Sequence, residues 1–150
     1  MKKYYKLLII PAIIIIIAGF FSGFSRQSCI QAAENLLKER TKVMHETFSG
    51  RLEREQAEQL LTRIETYPLL SEDISSLREF EDSDLDTVQS MAFIEVSQEN
   101  KQFDYTVLRV KIRWYMRGYN GDYITDNDYT VILEAAGDGY RLSEFSSLKE

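Results

Sequence analysis

From Leu108 to Arg117 the side chains alternate without a break. Leu108, Val110, Ile112, Trp114 and Met116 fall on one side, and Arg109, Lys111, Arg113, Tyr115 and Arg117 on the other. A period of two belongs to an extended strand, because successive side chains point to opposite faces of the pleated backbone. An apolar face backed by a cationic one predicts a strand half buried in an antiparallel sheet, with water on its outer side. The strand is predicted over 103–117, and the rest of the chain must supply its neighbours.

Alternation also begins at Thr87. It sets Val88, Ala92, Ile94 and Val96 on one face, interrupted by Ser90, and Gln89, Met91, Phe93, Glu95 and Ser97 on the other. The polar residues 98–101 suit a turn. After the long strand, 118–122 reads as a turn with Asn120-Gly121 at its centre. A third strand follows over about 123–135, Gly137-Asp138-Gly139 reverses the chain, and 140–146 returns.

Ahead of the strands the period is helical. Ile30, Ala33, Leu36, Leu37, Arg40, Met44 and Phe48 recur at i, i+3, i+4 and i+7 spacing, and Ser49-Gly50 supplies a stop. A second helix is predicted over 53–66 with Ala57, Leu60, Leu61 and Ile64 on one face. Pro68 ends it, since proline lacks the backbone donor a helix needs. A short third helix is expected over 72–80, capped by Ser71 with Ile74 and Leu77 inward. Helices first and a meander after give the α+β class: amino-terminal helices on an antiparallel sheet of four or more strands.

The amino end is of another kind. Fourteen of the 18 residues at 7–24 are apolar, with Lys2, Lys3 and Lys6 before them and Arg26 after. At about 1.5 Å per residue such a helix spans roughly 27 Å, close to the thickness of a hydrocarbon core. The lysines outweigh Arg26, so residues 1–25 are expected to form a cytoplasmic stub and a single membrane span. Residues 26–150 then form an extracytoplasmic domain. A cleaved signal peptide is the alternative, although Gly23-Phe24-Ser25 fits a cleavage site poorly. Lipidation of Cys29 lacks the small residues such a site needs before it. Beyond residue 25 the chain carries 15 basic and 24 acidic side chains, a net charge of −9, which argues against nucleic acid as a partner. With one Cys, no disulfide forms within the chain.

The helical pair, the long strand bearing Trp114 and the closing hairpin Gly137-Asp138-Gly139-Tyr140-Arg141-Leu142-Ser143-Glu144-Phe145 resemble the nuclear transport factor 2-like superfamily. In that fold helices cover a strongly bent antiparallel sheet shaped as a cone. The single span followed by one such domain also resembles the bitopic assembly subunits of conjugation and type IV secretion machines. The likeness is one of layout, and fold analogy by itself does not fix function.

An enzyme of that superfamily would need an Asp or His base in an apolar pocket and a Tyr or neutral acid beside the substrate. Tyr115, Tyr123, Tyr129, Asp126 and Asp128 are the available parts. His45 falls on the charged side of the first helix, and Cys29 has no His beside it, so both read as inert. Asp82-Ser83-Asp84-Leu85-Asp86 opens like a calcium loop, but Thr87 stands where the loop needs Gly and Phe93 where it needs Glu. No metal or cofactor is expected, and the acidic residues 72–86 read as a solvated connection.

The cationic row of Arg109, Lys111, Arg113 and Arg117, with Tyr115 among them, is the candidate interface. Acids on neighbouring strands, Glu95, Asp126, Asp128 and Glu134, are the plainer explanation of how the sheet tolerates it. The expected role is non-enzymatic: a membrane-anchored assembly module whose partners are other envelope proteins or a second copy. A small-molecule or lipid-binding domain using the interior of the cone is the alternative. A cone filled by Met91, Phe93, Trp114 and Leu133 favours assembly, whereas an open pocket with an Asp beside a Tyr favours chemistry.

Overall fold

The computed structural model of the protein describes residues 28–79 and 86–148. The apolar stretch at 7–24 lies outside the described residues, as does most of the calcium-loop-like segment. No helix among the described residues is long and apolar enough to cross a membrane.

The first helix, α1 (Cys29–Phe48), starts where the Ser28 hydroxyl accepts the Gln31 backbone N–H at 3.2 Å. It stops at Ser49 and Gly50. The glycine takes a φ of 70°, and the Arg51 N–H bonds back to the Glu46 carbonyl at 2.8 Å. The second helix, α2 (Arg54–Ile64), ends before Glu65, and α3 (Leu69–Glu79) begins just after Pro68. The third helix thus starts earlier than its sequence pattern suggested, and Ser71 lies inside it. The Leu70 N–H reaches the Thr66 carbonyl, so the first turn closes over Pro68, which supplies no donor where none is required.

Four strands, β1 (Thr87–Gln102), β2 (Tyr105–Gly118), β3 (Gly121–Ala136) and β4 (Gly139–Ser147), form one antiparallel sheet in sequential order. Each hairpin closes through two residues. The pairs Gln102–Tyr105, Gly118–Gly121 and Ala136–Gly139 flank turns at Phe103-Asp104, Tyr119-Asn120 and Gly137-Asp138. Residues 98–101 therefore continue β1, and Phe103 stands in the turn itself. Beyond β4, Glu65 makes a single parallel bridge to Leu142.

β1 departs most from its sequence pattern. Register shifts at Val88/Ser90, Phe93/Glu95 and Val96/Gln98 each place an extra residue against β2. A bulge moves the following side chains to the opposite face. Val88, Met91, Phe93 and Val96 all turn inward as a result, and Ile94 is left exposed. Strict alternation had divided these residues between two faces.

The three helices cover one face of the sheet. Ala33 and Leu37 of α1 meet Leu108, Ile112, Val131 and Leu133, all of them fully buried. A second apolar cluster joins the helices to one another through Val43, Ala57, Leu61, Ile64, Leu70 and Leu77. β1 runs alongside α1 in the opposite sense. Cys29 sits by Glu99, and the end of α1 lies over Thr87 and Val88. The sheet's other face carries the cationic row.

Candidate functional site

On the outer face the strand register sets acids opposite the cations. Arg113 faces Asp126 and donates through Nε and Nη2 at 2.8 and 2.7 Å. Arg117 faces Asp122, with bonds of 2.9 and 3.3 Å. Lys111 lies between Glu95 and Asp128, 3.9 Å from each. Arg109 stands opposite Thr130 and is exposed. Of the acids expected as neighbours, Glu95, Asp126 and Asp128 stand beside the row. Glu134 stands apart, paired with Tyr105 and Arg141. The Arg113 guanidinium holds the Asp126 carboxyl below its ordinary range, and Arg117 does the same for Asp122. The row is therefore a ladder of exposed ion pairs. Tyr115 and Ile124 sit opposite each other within it, and Ile124 is 61% exposed.

The inner face carries an aromatic chain. Trp114 Nε1 donates to the Tyr129 hydroxyl at 3.0 Å with the rings edge to face. Tyr129 stacks on Phe145 at 4.6 Å, and the Arg40 guanidinium lies 5.2 Å above the Phe145 ring. Of the residues considered for catalysis, Tyr129 and Tyr123 share the inner face, opposite Val110 and Met116, and Tyr129 is the more buried of the two. Tyr115, Asp126 and Asp128 lie on the outer face. Tyr123 donates to Asp86 at 2.6 Å, and that acid raises the phenol's affinity for its proton. Asp86 sits so close to Gly118 that a Cβ there would lie 3.0 Å from its carboxylate.

Arg40 leads to a centre that sequence reasoning missed. It points inward from α1 and donates to both oxygens of Asp73 on α3, each at 2.6 Å. Its Nε also lies 3.3 Å from Glu65 Oε1, but the hydrogen is directed at Asp73. Neither Glu65 oxygen has a hydrogen-bond partner of proper geometry among the described residues. Glu65 is completely buried and Asp73 is 4% exposed. Burial foremost, then the Asp73 carboxylate beside it, pushes Glu65 up to about 9, so it carries its proton at neutral pH. The sequence pattern places Asp73 in a solvated acidic connection. The α3 backbone instead turns it under α1, where one guanidinium answers it. The signal was Arg40 itself, a cation set within an apolar stripe, which calls for a buried acid.

Grooves run along both sides of the later half of α1. One, of about 410 Å³, is lined by Arg40, Met44, Phe48, Thr87 and Trp114. The other, of about 440 Å³, is lined by Lys42, His45, Arg51, Val88 and Gln89. His45 thus faces a groove, with its Nε2 3.0 Å from Arg51 Nη2. Cys29 donates its thiol to Glu99 at 2.8 Å, and burial, reinforced by that carboxylate, pushes it up to about 11. A thiol held protonated in this way is a poor nucleophile. Among the described residues no three His, Cys, Asp or Glu side chains come close enough to share a metal ion. The chemistry available is therefore a proton held on Glu65, which lines none of these grooves, beside a groove that exposes one edge of Arg40.

No family model matches the chain, and no curated protein matches it. Among solved structures, the fold is similar to the intermembrane-space region of the chloroplast protein ARC6. The TM-score is 0.51 at 13% identity, covering 79% of this chain and 95% of that one. A de novo designed β-sheet protein aligns with a TM-score of 0.39 and 15% identity over 80% of this chain and 92% of its own. The ARC6 likeness is one of α+β fold.

Proposed function

We propose that this protein is a non-catalytic assembly module. It is anchored by residues 7–24 and presents a nuclear transport factor 2-like domain outside the cytoplasmic membrane, much as the bitopic subunits of conjugation and type IV secretion machines do. The observation that carries this reading is the filled interior. Met91, Trp114 and Leu133 are buried in the main core with Phe93 packed against them, so the centre of the sheet holds side chains in place of a substrate. The grooves lie along the flanks of α1; Asp86, which Tyr123 engages, lines one of them and Asp138 and Tyr140 line another, but both acids are exposed to water and neither is set in an apolar pocket. The likeness to an intermembrane-space region adds that a domain of this shape occupies an envelope compartment in another protein.

The docking face is the outer side of β2 and β3. Tyr115 and Ile124 form an exposed apolar pair between the Arg113–Asp126 and Arg117–Asp122 bridges. An apolar centre with a charged rim is the usual anatomy of a protein interface. A photoreactive residue at position 115 of the full chain, activated in native membranes, should give a discrete crosslinked species. Ile124→Asp should abolish it, and a probe at Glu55 on α2 should give none. Equal labelling at both positions, or none at 115, refutes the interface.

A further inference from the structure

We infer that the turn at Phe103 rests on the lipid surface, so that the domain stands on the bilayer at two points, its chain entry and this hairpin tip. The inference rests on the proposed anchoring of residues 7–24.

Phe103 is an unexpected occupant of its position. Its φ is 51°, in the left-handed region where Gly or Asn meets less steric resistance, and its ring is fully exposed. It packs on nothing that would explain an aromatic there. The turn is nonetheless well fixed. Gln102 pairs with Tyr105, and the Ala135 N–H bonds to the Asp104 carbonyl at 2.7 Å. A bulky apolar ring held out on a rigid support, in a conformation that disfavours it, calls for a surface to receive it.

The fold decides which surface. Cys29 at the start of α1 bonds to Glu99, four residues before Phe103. A groove of about 400 Å³ brings Ala32 and Asn35 of α1 together with Lys101, Phe103, Asp138 and Tyr140. The first turns of α1, the β1–β2 turn and the β3–β4 turn thus share one end of the domain. The apolar stretch stops at Phe24, four residues before Ser28. Fully extended, those four residues reach about 14 Å. This end must therefore stay within that distance of the bilayer, which brings the exposed ring to the depth where aromatic side chains favour the membrane interface. Glu39, Asp104 and Asp138 outnumber Lys101 around the groove, so the contact is apolar insertion and does not depend on anionic headgroups.

The other exposed hairpin tip supplies an internal control. Tyr119, also fully exposed, closes the turn between β2 and β3. It lies at the opposite end of the 14-residue β2, roughly 40 Å away along the strand.

The full chain is reconstituted into phosphatidylcholine vesicles with brominated acyl chains, and emission is compared for the parent, which contains Trp114, and for Phe103→Trp and Tyr119→Trp. The expected result is loss of the added emission in Phe103→Trp and its retention in Tyr119→Trp. If the chain floats with the vesicles and Phe103→Trp stays bright, the lipid contact is overturned and the anchor stands. If both added tryptophans are quenched alike, the domain lies flat and the end-on contact is overturned. If the chain does not float, the anchor and this inference both fall.

Discussion

Arg40 on α1 holds Asp73 on α3 through two parallel N–H···O bonds of 2.6 Å, although 33 positions separate them in the chain. Beside them Glu65, buried and bridged to Leu142 of β4, keeps a proton because one guanidinium cannot neutralise two carboxylates in the interior. The triad ties all three helices to the edge of the sheet.

Glu65 makes stability depend on pH in an unusual direction. Its pKa is raised in the folded state from the ordinary 4.5 to about 9. The unfolded chain releases this proton above pH 4.5 while the folded chain keeps it. The contribution of this group to stability is therefore greatest below pH 4.5 and declines as pH rises toward 9, by up to about 1.4 kcal/mol per unit. Glu65→Gln, which mimics the neutral acid, should flatten that decline. Urea unfolding followed by Trp114 fluorescence at pH 5 and pH 8 checks it, and an unchanged slope in the variant would show that Glu65 is ionised.

Removing the guanidinium should be costly. Arg40→Met leaves Asp73 buried without a countercharge and should destabilise the domain by about 3–5 kcal/mol. Replacing Arg40, Glu65 and Asp73 together by Met, Leu and Leu should recover most of that loss, because no buried charge then remains. Thermal unfolding of the two variants separates an electrostatic requirement from one of packing alone.

Whether the centre of the sheet is filled can be read from one truncation. Leu133 is fully buried between sheet and helices, so Leu133→Ala should cost about 2–5 kcal/mol. In a hollow cone the same change would enlarge an existing cavity and cost little. The denaturant midpoint distinguishes the two.

The outer ladder should behave differently from the buried triad. Its ion pairs stand in water, where salt and solvent screen them. Arg113→Gln and Arg117→Gln together should leave the unfolding midpoint unchanged within error, while weakening the crosslink made from position 115. A large fall in midpoint with an unaltered crosslink would make these arginines structural.

The order of helices and strands, the inward side of β2 and the stop at Ser49-Gly50 were legible in the sequence because they are local. A period of two or of 3.6 is written in neighbouring residues, and a turn depends on the few residues that make it. The neutralised ladder was legible only in kind, as acids on a neighbouring strand facing the row; the hairpin closes at Tyr119-Asn120, not at the expected Asn120-Gly121, and that one-residue difference decides which acid meets which cation. β1 was legible as a strand but not in its faces. Its three bulges arise from how it must bend against β2 under α1, and each one reverses the alternation. Arg40 within its apolar stripe signalled a buried acid, but that Glu65 and Asp73 would answer it was not legible. An acid's burial depends on which helix comes to lie over it, and Arg40 meets them only once α1, α3 and β4 have packed. The sequence by itself determined the α+β layering and the charged outer face. Tertiary structure alone decided that two acids would share one arginine inside, and that Phe103 would stand at the same end as the chain's entry, because both relationships join residues far apart in the chain.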